Sequence, residues 1–133
     1  MASIHRETLL SAGADEVWAG LRDVGNVHRL FPGVLVDARL EGDVRVVTFA
    51  SGRAVRERIV AIDEARRRVA YAVLQDGLVH HSASMQVLAE HKGGSRFVWT
   101  SDLLPDDLAV VRPDVETAGC AVQAAKGRLA GRL

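Results

Sequence analysis

A chain of 133 residues is large enough for one hydrophobic core and short for two. It is 48% hydrophobic, and its 17 basic and 17 acidic residues leave a formal net charge of +0. It has no basic block with interleaved aromatics to hold nucleic acid and no apolar run near the ~20 residues that cross a bilayer. The lone cysteine, Cys120, excludes an internal disulfide framework. Met1-Ala2-Ser3-Ile4-His5-Arg6-Glu7 lacks the apolar stretch of an export signal. One cytoplasmic domain over residues 1–133, monomeric or a homodimer, is the expectation.

Ser3 to Leu10 reads as a first strand. A helix follows over Ala14 to Asp23, where Val17, Trp18, Leu21 and Val24 fall at helical spacing and Asp15 and Glu16 suit the positive N-terminal end. A short helical stretch over Asn26 to Leu30 ends at Phe31-Pro32-Gly33, because proline cannot continue the ladder. Six strands come next: Val34 to Glu41, Val44 to Ala50, Arg53 to Asp63, Arg67 to Gln75, Val79 to Glu90, and Ser95 to Leu103. Gly-containing turns such as Gly42-Asp43, Ser51-Gly52 and Lys92-Gly93-Gly94 join them, the mark of consecutive antiparallel hairpins. In the tail, Leu108, Val111, Val115, Ala118, Val122, Ala125, Leu129 and Leu133 recur every three or four residues, which reads as one long amphipathic helix with Pro113 in its first turn or at a kink. A seven-stranded antiparallel sheet with one apolar face and one long helix to cover it is an α+β arrangement. A strongly curved sheet would leave a cavity beneath that helix.

Strand parity singles out residues on the covered face. In Ala54-Val55-Arg56-Glu57-Arg58-Ile59-Val60-Ala61, Val55, Glu57, Ile59 and Ala61 share one face, and Arg56 and Arg58 lie on the other. A carboxylate on a core-facing strand is costly unless it is paired or meets a wet cavity. Glu57 therefore reads as a general acid/base or a ligand anchor, as half of an ion pair with Arg45 on the preceding strand, or as a group solvated at the cavity mouth. By the same parity Tyr71 lies with Val69 and Val73, His81 with Ala83, Met85 and Val87, and Trp99 and Ser101 with Phe97. His81 is a proton shuttle or a rim histidine. Tyr71, Trp99 and Ser101 line a cavity or pack the core. A buried phenol needs a partner, and Glu57 is the candidate. Val36 on the second strand and Val115, Gly119 and Val122 on the final helix complete the expected lining, with Val55 and Ile59. His80 faces away from His81, so the pair cannot share one metal ion, and His28 and His91 are isolated. No metal and no cofactor is expected. Cys120 has no matched base and reads as an inert thiol.

The element order, with Ala14-Asp15-Glu16-Val17-Trp18, Phe31-Pro32-Gly33-Val34, Val55-Arg56-Glu57-Arg58-Ile59 and Phe97-Val98-Trp99-Thr100-Ser101, resembles the START-like (SRPBCC) superfamily and within it the bacterial polyketide cyclase/dehydrase-like branch. That resemblance implies a helix-grip fold: a curved seven-stranded antiparallel sheet wrapped around a long C-terminal helix, two short helices between strands 1 and 2, and a deep cavity between sheet and helix. The superfamily spans lipid carriers, hormone receptors and aromatase/cyclases. The Gly-rich loop of its plant allergen branch is reduced here to Glu41-Gly42-Asp43, and neither Lys92 nor Lys126 matches the cavity lysine of its plant hormone receptors.

The leading functional expectation is a protein that binds one polyketide-, lipid- or isoprenoid-like molecule, with apolar walls giving affinity and Glu57, Tyr71, His81 and Ser101 orienting its polar groups. The alternative is a cyclase or dehydratase in which Glu57 or His81 moves a proton and Tyr71 or Ser101 donates to the developing oxyanion. The third is a protein-interaction module with a vestigial cavity.

Overall fold

The computed structural model describes residues 2–31, 33–74 and 80–104, with residues 2, 103 and 104 as backbone only. The chain begins with strand β1 (Ala2–Leu10), helix α1 (Ala14–Arg22) and a 3₁₀ helix (Val24–Arg29). Six strands follow: β2 (Leu35–Glu41), β3 (Val44–Phe49), β4 (Ala54–Asp63), β5 (Arg68–Leu74), β6 (His80–Ala89) and β7 (Ser95–Leu104). They form one seven-stranded sheet in the order β1-β7-β6-β5-β4-β3-β2, with every neighbouring pair antiparallel. The expected order of strand, two helices and six strands is therefore present. The expected C-terminal helix, with Val115, Gly119 and Val122, lies outside the described residues, as do Pro113 and Cys120.

Local chemistry explains the elements. Helix α1 buries Ala14, Val17, Trp18 and Leu21 on one stripe, with Asp15 and Glu16 in its first turn and Arg22 in its last, as the helix dipole favours. Gly42 and Asp43 connect Glu41 to Val44, which face each other across the ladder. Gly42 sits at φ 66°, a positive value that so short a hairpin turn requires and that glycine adopts without strain.

Helix α1 packs over β5, β6 and β7, and the 3₁₀ helix over β2 and β3. Val17, Leu21, Val69, Val87 and Phe97 lie in one continuous buried cluster, and the Phe31 and Phe97 rings meet edge to face at 6.1 Å. The turn between β4 and β5 fastens α1 from outside. Trp18 Nε1–H donates to Glu64 Oε2 at 2.7 Å, Arg22 Nε–H donates to Glu64 Oε1 at 2.8 Å, and Arg67 pairs with Asp15 at 2.6 Å. The end of β1 is held the same way, by Ser95 Oγ–H donating to the Ala12 carbonyl at 2.8 Å.

Strict alternation fails at two places. The β2–β3 ladder slips between Leu35 and Asp37, so Leu35 and Ala38 turn toward the core while Val36 is 58% exposed. The ladder between β4 and β5 slips between Ile59 and Ala61, which ends the shared parity of Val55, Glu57 and Ile59 and leaves Ala61 exposed.

Candidate functional site

Four strands and the 3₁₀ helix bring polar groups into an otherwise apolar wall. The hairpin β3–β4 sets Arg45 directly opposite Glu57. Arg45 Nε–H donates to Glu57 Oε1 at 2.9 Å, and its terminal nitrogen Nη2 lies 2.8 Å from the same oxygen. Arg45 Nη1 reaches the Val24 carbonyl at 3.4 Å, so the guanidinium also ties the sheet to the 3₁₀ helix. Both charges are out of water: the Arg45 side chain is 2% exposed and that of Glu57 11%. Burial raises the Glu57 carboxyl above its ordinary pKa, and the charge and hydrogen bonds of Arg45 oppose that rise. The contacts from Arg45 converge on Oε1; among the described residues none reaches Oε2.

Tyr71 stands beside this pair. The Arg45 guanidinium carbon lies 5.0 Å from the centre of its ring, a cation–π distance. Burial, reinforced by the Glu57 charge, holds the phenol well above its usual pKa, so it remains a neutral hydroxyl. Its partner is Trp99, whose Nε1–H donates to the Tyr71 oxygen at 3.2 Å, and not Glu57 as the sequence suggested. The indole has no other polar atom, and the β6–β7 register carries Trp99 to the row beside Tyr71.

Between these groups and the 3₁₀ helix is a cavity of about 40 Å³, lined by Val27, Phe31, Leu35, Val47, Phe49 and Met85 with Arg45, Glu57 and Tyr71. Of the residues singled out from the sequence, Glu57, Tyr71 and Met85 therefore line it. Val55, Ile59 and Val73 pack against the core half-buried. His81, Phe97, Trp99 and Ser101 share the buried face without bordering the cavity. Val36 points elsewhere because of the β2 bulge. The space has room for on the order of three waters; the cavity expected beneath the C-terminal helix lies outside the described residues. Strand alternation did not single out Val27, Phe31, Leu35, Val47 and Phe49. Val27 lies on the 3₁₀ helix and Phe31 just beyond it, where strand parity says nothing, and Leu35 comes inward only through the bulge.

Farther along the same face, His81 Nε2 lies 2.8 Å from Ser101 Oγ, and Ser101 Oγ–H is 3.3 Å from the Ser82 carbonyl. Burial lowers the His81 pKa to about 4, with His80 contributing, so the ring is neutral at pH 7. His80 is exposed on the opposite face beside Ser82 Oγ at 3.0 Å, as alternation requires. Among the described residues no three His, Cys, Asp or Glu side chains gather as a metal site, and no helix is long and apolar enough to cross a membrane.

A family model described as polyketide cyclase / dehydrase and lipid transport matches residues 1–133. Among solved structures, the protein XoxI from Bacillus cereus is similar with a TM-score of 0.82 at 14% identity, over 97% of this chain and 96% of its own. Norcoclaurine synthase from Thalictrum flavum, in complex with dopamine and hydroxybenzaldehyde, is similar with a TM-score of 0.65 at 18% identity, over 91% of this chain and 83% of its own. The di-domain aromatase/cyclase BexL of the BE-7585A biosynthetic pathway is similar with a TM-score of 0.76 at 20% identity, over 96% of this chain and 46% of its own. At these identities the likenesses speak to the fold.

Proposed function

The chain belongs to the polyketide cyclase / dehydrase and lipid transport family, and from that premise we propose that it binds an apolar small molecule whose hydroxyl group is held at Glu57. The observation that carries this reading is a buried carboxylate with one oxygen claimed by Arg45 and the other unclaimed among the described residues, on the wall of an apolar cavity. An ionised carboxylate oxygen only accepts, so it selects a donor such as a hydroxyl. Arg45, seated over the Tyr71 ring, fixes that carboxylate, and Val27, Leu35, Val47 and Phe49 exclude water around it. A drug-sized ligand needs on the order of 300 Å³ or more, so binding enlarges the space. Met85, with its unbranched thioether, and the Phe31 and Phe49 rings are the wall elements that yield. The dopamine and hydroxybenzaldehyde held by norcoclaurine synthase, both hydroxyl-bearing aromatics, are consistent with such a ligand.

The test uses p-phenylphenol, an apolar body with one hydroxyl, followed by calorimetry and by Trp99 fluorescence. The reading expects saturable one-to-one binding. It expects that binding to be lost in Arg45→Met/Glu57→Leu, which replaces the ion pair with hydrocarbon and keeps the fold. Equal binding by that double variant would overturn it.

Proton transfer is the second reading. It is favoured by the raised Glu57 pKa, the shift that a group exchanging protons near neutrality needs. BexL, an aromatase/cyclase of the same fold, makes a cyclisation or dehydration the reaction to assay. Undiminished turnover in Glu57→Gln would remove Glu57 from that role.

A further inference from the structure

Among the described residues, two buried side-chain nitrogens have no hydrogen-bond partner: Nδ1 of His28 and Nδ1 of His81. His28 is half-buried on the 3₁₀ helix and is not a residue of the sheet. His81 is different. It is only 8% exposed, and it lies on the same face as Glu57 and Tyr71. A buried polar atom left unpaired costs free energy, and such exceptions call for a physical reason.

Hydrogen-bond counting sets the chemistry of that nitrogen. A neutral imidazole carries one N–H and one lone pair. If Nε2 is the N–H, it donates to Ser101 Oγ at 2.8 Å, and the Ser101 hydroxyl is free to donate onward to the Ser82 carbonyl at 3.3 Å. If Nδ1 is the N–H, Ser101 must turn its proton to Nε2, the Ser82 contact is lost, and a donor is stranded in the interior. The first arrangement makes one bond more. It leaves Nδ1 as a buried lone pair, an acceptor waiting for a donor.

Its distance from the other acceptor follows from the ladder. Ile59, Tyr71, Ala83 and Ser101 form one cross-strand row. Glu57 and His81 each stand two residues from that row, on the same side of it, on β4 and β6. Two strand spacings separate them, about 10 Å between backbones. The wall between is Val73 and Tyr71 on β5.

We infer that the inner face carries two hydrogen-bond acceptors, Glu57 Oε2 at the cavity and His81 Nδ1 beyond its border, and that the ligand is an elongated apolar molecule with a hydroxyl at each end, whose binding enlarges the cavity past Val73 as far as His81. Ser101 is a positioning residue: it holds the imidazole in the tautomer that accepts. The inference rests on the ligand-binding reading above and goes beyond it by naming a second anchor and the ligand's second polar group.

The experiment compares p-phenylphenol with p,p′-biphenol, the same rigid body bearing a hydroxyl at both ends. The intact protein should bind p,p′-biphenol about three- to tenfold more tightly, the worth of one neutral hydrogen bond. In His81→Phe that ratio should collapse to about one. In the unliganded protein, imidazole ¹⁵N spectra should show His81 protonated at Nε2, and Ser101→Ala should mix the two tautomers. The Nδ1 resonance should move with p,p′-biphenol and hold still with p-phenylphenol, a readout that needs no His81 variant to fold. Equal affinities in the intact protein, or a His81 protonated at Nδ1, would overturn this inference and leave the Glu57 reading standing. Failure of both probes to bind would overturn the two together.

Discussion

The two ends of the sheet's inner face are built on opposite principles. Under α1, the face is buried hydrocarbon: Val69, Val87 and Phe97 share one cluster with Val17 and Leu21, each 1% exposed or less. Under the 3₁₀ helix, the same sheet buries a charged pair and leaves space beside it. One end follows the rule for a stable core. The other breaks it with Arg45 and Glu57, two residue types rarely fully buried unless paired. A buried ion pair is weak support for stability, because desolvation offsets most of its attraction. The difference teaches that the α1 end follows the rule for stability, while the cavity end carries the polar groups on which the proposed recognition rests.

The largest effects should come from breaking each end in its own way. Phe97→Ala removes a fully buried ring that touches Phe31, and should cost about 3–5 kcal/mol by denaturant unfolding. Arg45→Met strands the Glu57 carboxylate and should cost a similar ~3–5 kcal/mol, yet Arg45→Met/Glu57→Leu together should be neutral or stabilising. A double variant as unstable as the single one would show that the pair itself stabilises the fold, and the contrast between the two ends would fail.

Acid sharpens the comparison. The His81 pKa is about 4 in the folded chain against an ordinary 6.5, so between those values the unfolded chain binds more protons. The stability that neutral His81 contributes is therefore present above about pH 6.5 and drains away as the pH falls toward 4. His81→Phe should flatten that part of the stability–pH curve, measured by thermal unfolding across the window. The smallest effect belongs to the outer tether. Glu64→Gln weakens the bonds to Trp18 and Arg22 at a surface site and should lower the thermal unfolding temperature only slightly, with ligand binding unchanged.

Much of this was legible in the sequence because β-strand side chains alternate rigidly. That rule alone put Glu57, Tyr71, His81, Trp99 and Ser101 on one face, and the hairpin between β3 and β4 made Arg45 the natural partner of Glu57. The rule broke where a backbone bulge inserts a residue. Val36 and Ala61 were misplaced for that reason, since a bulge is set by ladder hydrogen bonds that no residue pattern announces. The partner of Tyr71 was missed because it sits two strands away, on β7, at a register fixed by every intervening turn. The size of the cavity depends on how Phe31, Phe49 and Met85 pack, which is a property of side-chain volumes in three dimensions.

The most direct test of a recognition site beside Glu57 is an amide chemical-shift map of the protein titrated with p-phenylphenol. Shifts concentrated at Arg45, Val47, Glu57, Tyr71 and Met85 are the predicted result. Shifts confined to the outer face of the sheet, or saturation with those five amides unmoved, would contradict it.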